Sequence, residues 1–174
     1  MVLTHSSGAQ PMNEFHSTDS SHREKVLEHL FIGELLRCFW QRGIRDVDVL
    51  KSEVDRGGYD IVLESGGVIR HIQLKATYKG GKTAMQKISL NLTQKPSGCV
   101  VWIFFDPDSL ELGPFLWLGD EPGKPLPPLG DRVAKHSKGN KAGYKAARPN
   151  LRVMNKGAFT ALPSIGDVAK VLFQ

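Results

Sequence analysis

The chain has 174 residues, 40% of them apolar and 24% charged, with a formal net charge of +5. That suits about one globular domain with a core of its own; no apolar run is long enough to cross a membrane, and the N-terminus lacks the hydrophobic stretch of a signal peptide. A cytoplasmic protein is therefore the expectation, with Cys38 and Cys99, each among apolar neighbours, as buried thiols rather than a disulfide or a metal site.

Residues 1–20 are polar, rich in Ser and His, and without apolar period, which reads as a disordered leader. The irregular spacing of His5, His16 and His22 argues against a metal tract. Residues 21–174 then form a single domain. Ser21 followed by Glu24 suggests a capping box, and Gly43 a helix stop. Between them Leu27, Phe31, Leu35, Cys38 and Phe39 share one helical face. Two carboxylates intrude on that stripe: Glu28 between Leu35 and Phe39, and Glu34 near its edge beside Leu27 and Phe31. A carboxylate on the core side of a helix is costly without a partner. Each is either a rim residue, in water or paired with Lys25 or Arg37, or a functional group; Glu28, the deeper one, is the preferred candidate.

Val47–Val54 reads as a strand, and residues 55–58 (DRGG) as a turn. Two strands follow, Ile61–Leu63 and Val68–Leu74, joined by Gly66-Gly67. Strand alternation puts Gln73 and Lys75 on one face and Leu74 on the other. A hairpin that sets Asp60 beside them makes three polar groups converge on an otherwise apolar sheet. Bland alternatives stay open: Asp60 capping the preceding turn, Gln73 and Lys75 on a solvated strand face. Ala76–Thr83, polar and Gly-rich, reads as a mobile loop bringing Lys79 and Lys82 to the mouth of a cleft. Residues 85–95 fit either a strand or a short helix.

Cys99–Phe105 (CVVWIFF) is a continuous apolar run, as in a strand buried on both faces, with Pro114–Leu118 as its neighbour. Residues 119–130 form a Pro/Gly loop. Residues 132–152 hold Lys135, His136, Lys138, Lys141, Lys145, Arg148 and Arg152 with no acidic residue, and Tyr144 among them. Salt-sensitive contact with phosphates, Tyr144 stacking on a base, is one reading; a solvated loop is the other. Ser164 and Asp167 cap a C-terminal helix.

Helix with Glu, strand, strand led by Asp60, strand with Gln73-Leu74-Lys75, connection, buried strand: this order resembles the PD-(D/E)XK nuclease superfamily, in a variant with Gln at the second acidic position. The resemblance covers about residues 22–105. It implies an α/β (α+β) fold with a mixed central sheet flanked by helices, a restriction-endonuclease-like core. It implies metal-dependent hydrolysis of DNA phosphodiesters with Asp60, Gln73, Lys75 and Glu28 or Glu34 as the catalytic set. Mg²⁺ or Mn²⁺ would be held by Asp60, Gln73 and the Leu74 carbonyl, and Lys75 would orient water or stabilise charge at the phosphate. The nucleic acid would meet Lys79, Lys82, Lys135, Lys138, Lys141, Tyr144, Lys145 and Arg148, and a homodimer would suit double-strand cutting. Gln73 removes one negative charge from such a site. A silent nucleic-acid-binding or protein-interaction module on the same scaffold is the alternative.

Overall fold

A chain whose apolar runs alternate between strand and helix periods buries them in layers, and here one sheet separates two cores. The structure is a computed structural model that describes residues 20–52, 56–136 and 143–174. The elements run α1 (Ser20–Gln41), β1 (Asp48–Lys51), β2 (Ile61–Ser65), β3 (Val68–Tyr78), β4 (Met85–Ser89), a 3₁₀ turn (Leu90–Gln94), β5 (Gly98–Phe105), β6 (Leu112–Leu118), β7 (Val133–Lys135), β8 (Ala147–Asn155), a second 3₁₀ turn (Lys156–Ala158), β9 (Thr160–Leu162) and α2 (Ile165–Phe173). Six strands form a mixed sheet in the order β1-β2-β3-β5-β6-β9. The β3–β5 pair is parallel and the other neighbours are antiparallel. A separate three-stranded antiparallel sheet has the order β4-β8-β7. The fold is thus α+β around a mixed sheet.

The alternation within each strand assigns the faces. Ile61 and Leu63 of β2, Ile72 of β3, and Cys99, Val101 and Ile103 of β5 pack with Phe31, Leu35 and Phe39 of α1 and Val168 and Leu172 of α2. Val100 and Trp102 of β5 turn the other way, onto Ile88, Leu92, Leu126, Leu129 and Phe159. Cys99–Phe105 is therefore buried on both faces, as its unbroken apolar run demands. The described helices lie on one face only. The second face is covered by β4, the first 3₁₀ turn and the Pro/Gly loop, which supplies Leu126 and Leu129 to the core.

Local signals account for most boundaries. Gly66 and Gly67 both have positive φ (57° and 78°), as a two-residue hairpin turn requires, and the β2–β3 ladder runs from Ser65↔Val68 to Ile61↔Ile72. Gly43 (φ 80°) ends α1, and the Ile44 N–H donates back to the Phe39 carbonyl. Ser164 and Asp167 form the expected capping box of α2. Both cysteines are free; Cys99 is fully buried, which pushes its thiol pKa up to about 12.

Some expectations need correction. Ser21 lies inside α1, so Ser21 and Glu24 do not cap it. The first strand shrinks to Asp48–Lys51, and Asp55 of the turn lies outside the described residues. Ala76–Tyr78 are not loop: they extend β3, because Ile103–Phe105 of β5 offer them parallel partners. Residues 85–95 hold both a strand and a short 3₁₀ turn. Within the basic segment, 133–135 and 147–152 belong to the strands β7 and β8, while residues 137–142, with Lys138 and Lys141, lie outside the described residues, as does the leader up to residue 19.

Arg70 ties the layers together. It is fully buried on β3 and donates to the Leu172 carbonyl (2.6 Å), the Val171 carbonyl (2.9 Å) and the Asp120 carbonyl (2.9 Å). Two of these acceptors belong to the last turn of α2, where backbone carbonyls lack helical partners. Among the described residues, no helix is long and apolar enough to cross a membrane.

Candidate functional site

The site forms where β2 begins and β3 runs on alone. The β2–β3 ladder starts at Ile61↔Ile72, so β3 has no β2 partner from Gln73 to Tyr78, although β5 pairs it along its other edge. Asp60 stands in this fork. Its N–H donates to the Ile72 carbonyl (2.9 Å), and its Oδ2 accepts the Leu74 N–H (2.6 Å). Main chain and carboxylate together fix Asp60 across residues 72–74. The N–H and C=O of one strand residue leave on the same side, so the Leu74 carbonyl faces the edge that Asp60 occupies.

Gly58 sets the approach to this fork. It is buried with φ 73°, and an added Cβ would lie 2.6 Å from Ser89 Cβ and 3.1 Å from the Leu92 nitrogen. Ser89 reaches the site a second way, since its N–H donates to Gln73 Oε1 at 3.2 Å. Gln73 is only 7% exposed. Its amide oxygen therefore ties β3 to β4. One of its two lone pairs is engaged and the other remains as a donor.

A cleft of about 680 Å³ opens between α1 and this fork, with Glu28, Asp60, Leu74 and Lys75 on its walls and Tyr78 and Thr83 at the ends of the loop beside it. Glu28 is 7% exposed. Its Oε2 accepts from Lys25 Nζ (3.1 Å), and Lys51 Nζ, reaching across from β1, lies 2.8 Å from Oε1. That second contact is an ion pair without hydrogen-bond alignment, so Oε1 is a buried oxygen lacking an aligned donor. Burial works to raise the pKa of Glu28, but Lys51 and Lys25 outweigh it and hold the carboxyl below the ordinary glutamate value. The salt bridge with Lys25 and the place at the cleft, offered by the sequence as alternatives, coexist.

Glu34 is not brought here. It lies beside Leu30 and Arg37 on the outer side of α1, where burial, with Glu111 nearby, raises its pKa above the ordinary value against the pull of Arg37. Of the expected set, Asp60, Lys75 and Glu28 line the cleft between α1 and the fork; Gln73 lines an adjoining one between β3 and the three-stranded sheet, which Lys75 shares, and Glu34 lines neither. Lys79 and Lys82 are exposed on the loop at the cleft mouth; Lys135, Tyr144, Lys145 and Arg148 are exposed on and beside the second sheet. Glu53, a further acidic candidate, lies outside the described residues. Lys51 and Ser89 carry no signal in the sequence, because each reaches the site from another element.

Oxygen atoms of the kind a hard cation takes are present at the fork and next to it. Asp60, the second lone pair of Gln73 Oε1 and the Leu74 carbonyl are the donors such an ion prefers. Glu28 does not extend that set to a second ion, because two ammonium groups already match its charge. Among the described residues no three of His, Cys, Asp and Glu cluster as a metal site. No family model matches the chain, and no curated protein matches it significantly.

Proposed function

We propose that the chain hydrolyses phosphodiester bonds of nucleic acid, DNA first, in a metal-dependent reaction at the fork between β2 and β3. The observation that carries this reading is the meeting of Asp60, Lys75 and Glu28 on the walls of one cleft, with Asp60 tied to Leu74 of β3. Asp60, Gln73 and the Leu74 carbonyl would hold Mg²⁺ or Mn²⁺, which when bound neutralises phosphate charge and acidifies water. Lys75 places a positive charge where the scissile phosphate gathers negative charge. Glu28 presents Oε1 as an acceptor that orients the attacking water. Its lysine partners keep it ionised and make it a poor base, so its part is orientation.

A second reading, a nucleic-acid-binding module without catalysis, is favoured by one observation: Glu28 is already neutralised by two lysines, and in the donor set of Asp60, Gln73 and the Leu74 carbonyl one member is a carboxylate. Supercoiled plasmid incubated with the protein and Mg²⁺ or Mn²⁺ separates the two. Metal-dependent nicking by the native protein, lost in Asp60→Ala and Lys75→Ala, is the expected result. Absence of cleavage across plasmid, linear duplex and single-stranded substrates would select the binding module.

A further inference from the structure

A second cleft, of about 790 Å³, lies between β3 and the three-stranded sheet. It meets the first along a shared wall, because Lys75 and Gln86 line both. Gln86 bridges the two sheets there, its Nε2 donating to Thr77 Oγ1 at 3.4 Å. The clefts differ in charge. The first holds Glu24, Glu28 and Asp60. The second, among the described residues, is lined by Lys75, Lys87, Arg148 and His136 without any carboxylate, and by the amides Asn91 and Asn150. Lys87 is fixed in place by donating to the Lys135 carbonyl at 3.1 Å. Asn91 donates to the Arg56 carbonyl at 2.8 Å, beside the turn that leads to Asp60.

Purely cationic and amide-rich walls suit a phosphodiester backbone, whose oxygens accept hydrogen bonds and carry charge without pause along the strand. The acid-bearing cleft is a place for one phosphate, and the acid-free cleft leads away from it past Lys75. We propose that this second cleft binds the sugar–phosphate backbone of the nucleic-acid strand that flanks the reacting phosphate, with Lys87 and Arg148 as its principal phosphate contacts. The proposal takes nucleic acid as ligand from the reading above, but the cleft's binding role does not need cleavage. It also gives β4, β7 and β8 a function of their own as a strand-holding wall.

Binding without catalysis tests it. The full chain carrying Asp60→Ala is titrated in EDTA against a fluorescein-labelled oligonucleotide, single-stranded and duplex, across a range of salt concentrations. Adding Lys87→Ala and Arg148→Ala should weaken binding at least about tenfold and flatten the plot of log affinity against log salt by about 0.7–0.9 for each cation removed. Lys170→Ala, which removes a cation from α2 on the far side of the six-stranded sheet, should leave both unchanged. Circular dichroism melts establish that the variants fold. An unchanged slope and affinity in the Lys87/Arg148 variant, an equal loss in Lys170→Ala, or no binding by the parent at low salt would each overturn the proposal. Absence of plasmid nicking by the native protein, with an intact salt-slope effect, would refute the nuclease reading alone.

Discussion

Gln73 differs from a glutamate by one atom, an amide nitrogen where a carboxylate has oxygen, and the structure separates its two duties. Its oxygen accepts the Ser89 N–H, a structural task that a carboxylate performs equally well. Its neutrality would lower the charge of the proposed cation site. Gln73→Glu should therefore keep stability within about 0.5 kcal/mol while lowering the Mg²⁺ concentration for half-maximal nicking. Gln73→Leu leaves the Ser89 N–H buried and unpaired, and should cost about 1–3 kcal/mol in urea denaturation. A stable Gln73→Leu chain would show that this tie does not hold β4 to β3. Much at this scale was legible in advance. Strand alternation alone put Gln73 with Lys75, and a Gly-Gly hairpin put Asp60 next to them. The choice between Glu28 and Glu34 was harder, since helical angles rank depth in a stripe but not what packs over it; Lys51 from β1 settles the surroundings of Glu28.

At the scale of elements, the turn before β2 and the turn after it contain glycines with similar backbones and different surroundings. Gly58 (φ 73°) packs against Ser89 and Leu92, whereas a Cβ on Gly66 (φ 57°) would meet open space. Gly66→Ala should cost only the left-handed penalty, about 1–2 kcal/mol. Gly58→Ala adds overpacking, for a total of at least about 2 kcal/mol, and should displace Asp60 from the fork as well. Denaturation midpoints of the two variants, with nicking rates beside them, check this: equal stability losses and equal activity would show that the Gly58 contact does not matter. The elements hidden from sequence reading are those made by distant partners. β3 reaches Tyr78 because of β5, and Met85–Ser89 is a strand because β8, more than fifty residues on, pairs with it. Local period could not see either pairing, so a strand end looked like loop and a strand like an undecided segment.

Across the whole molecule, Arg70 joins the middle of the sheet to the last turn of α2 and to the loop after β6. Its loss would leave three backbone acceptors unpaired in or near the core. Arg70→Met should cost about 2–4 kcal/mol by chemical denaturation. Arg70→Lys should recover little, because one compact ammonium cannot span three carbonyls as a planar guanidinium does. Full recovery by lysine would mean that charge, not geometry, is what the site requires.

The six-stranded sheet ends in two short strands, β1 with four residues and β9 with three. Short edges give little template on which a second chain could add a strand, and a lysine on such an edge adds a charge that an incoming strand would have to bury. Lys51 closes β1, beside the exposed Leu50. The residue that neutralises Glu28 at the cleft is thus also the guard of the sheet's open border. Its replacement by an apolar residue would leave an edge more prone to pair with a second chain, before any question of activity arises.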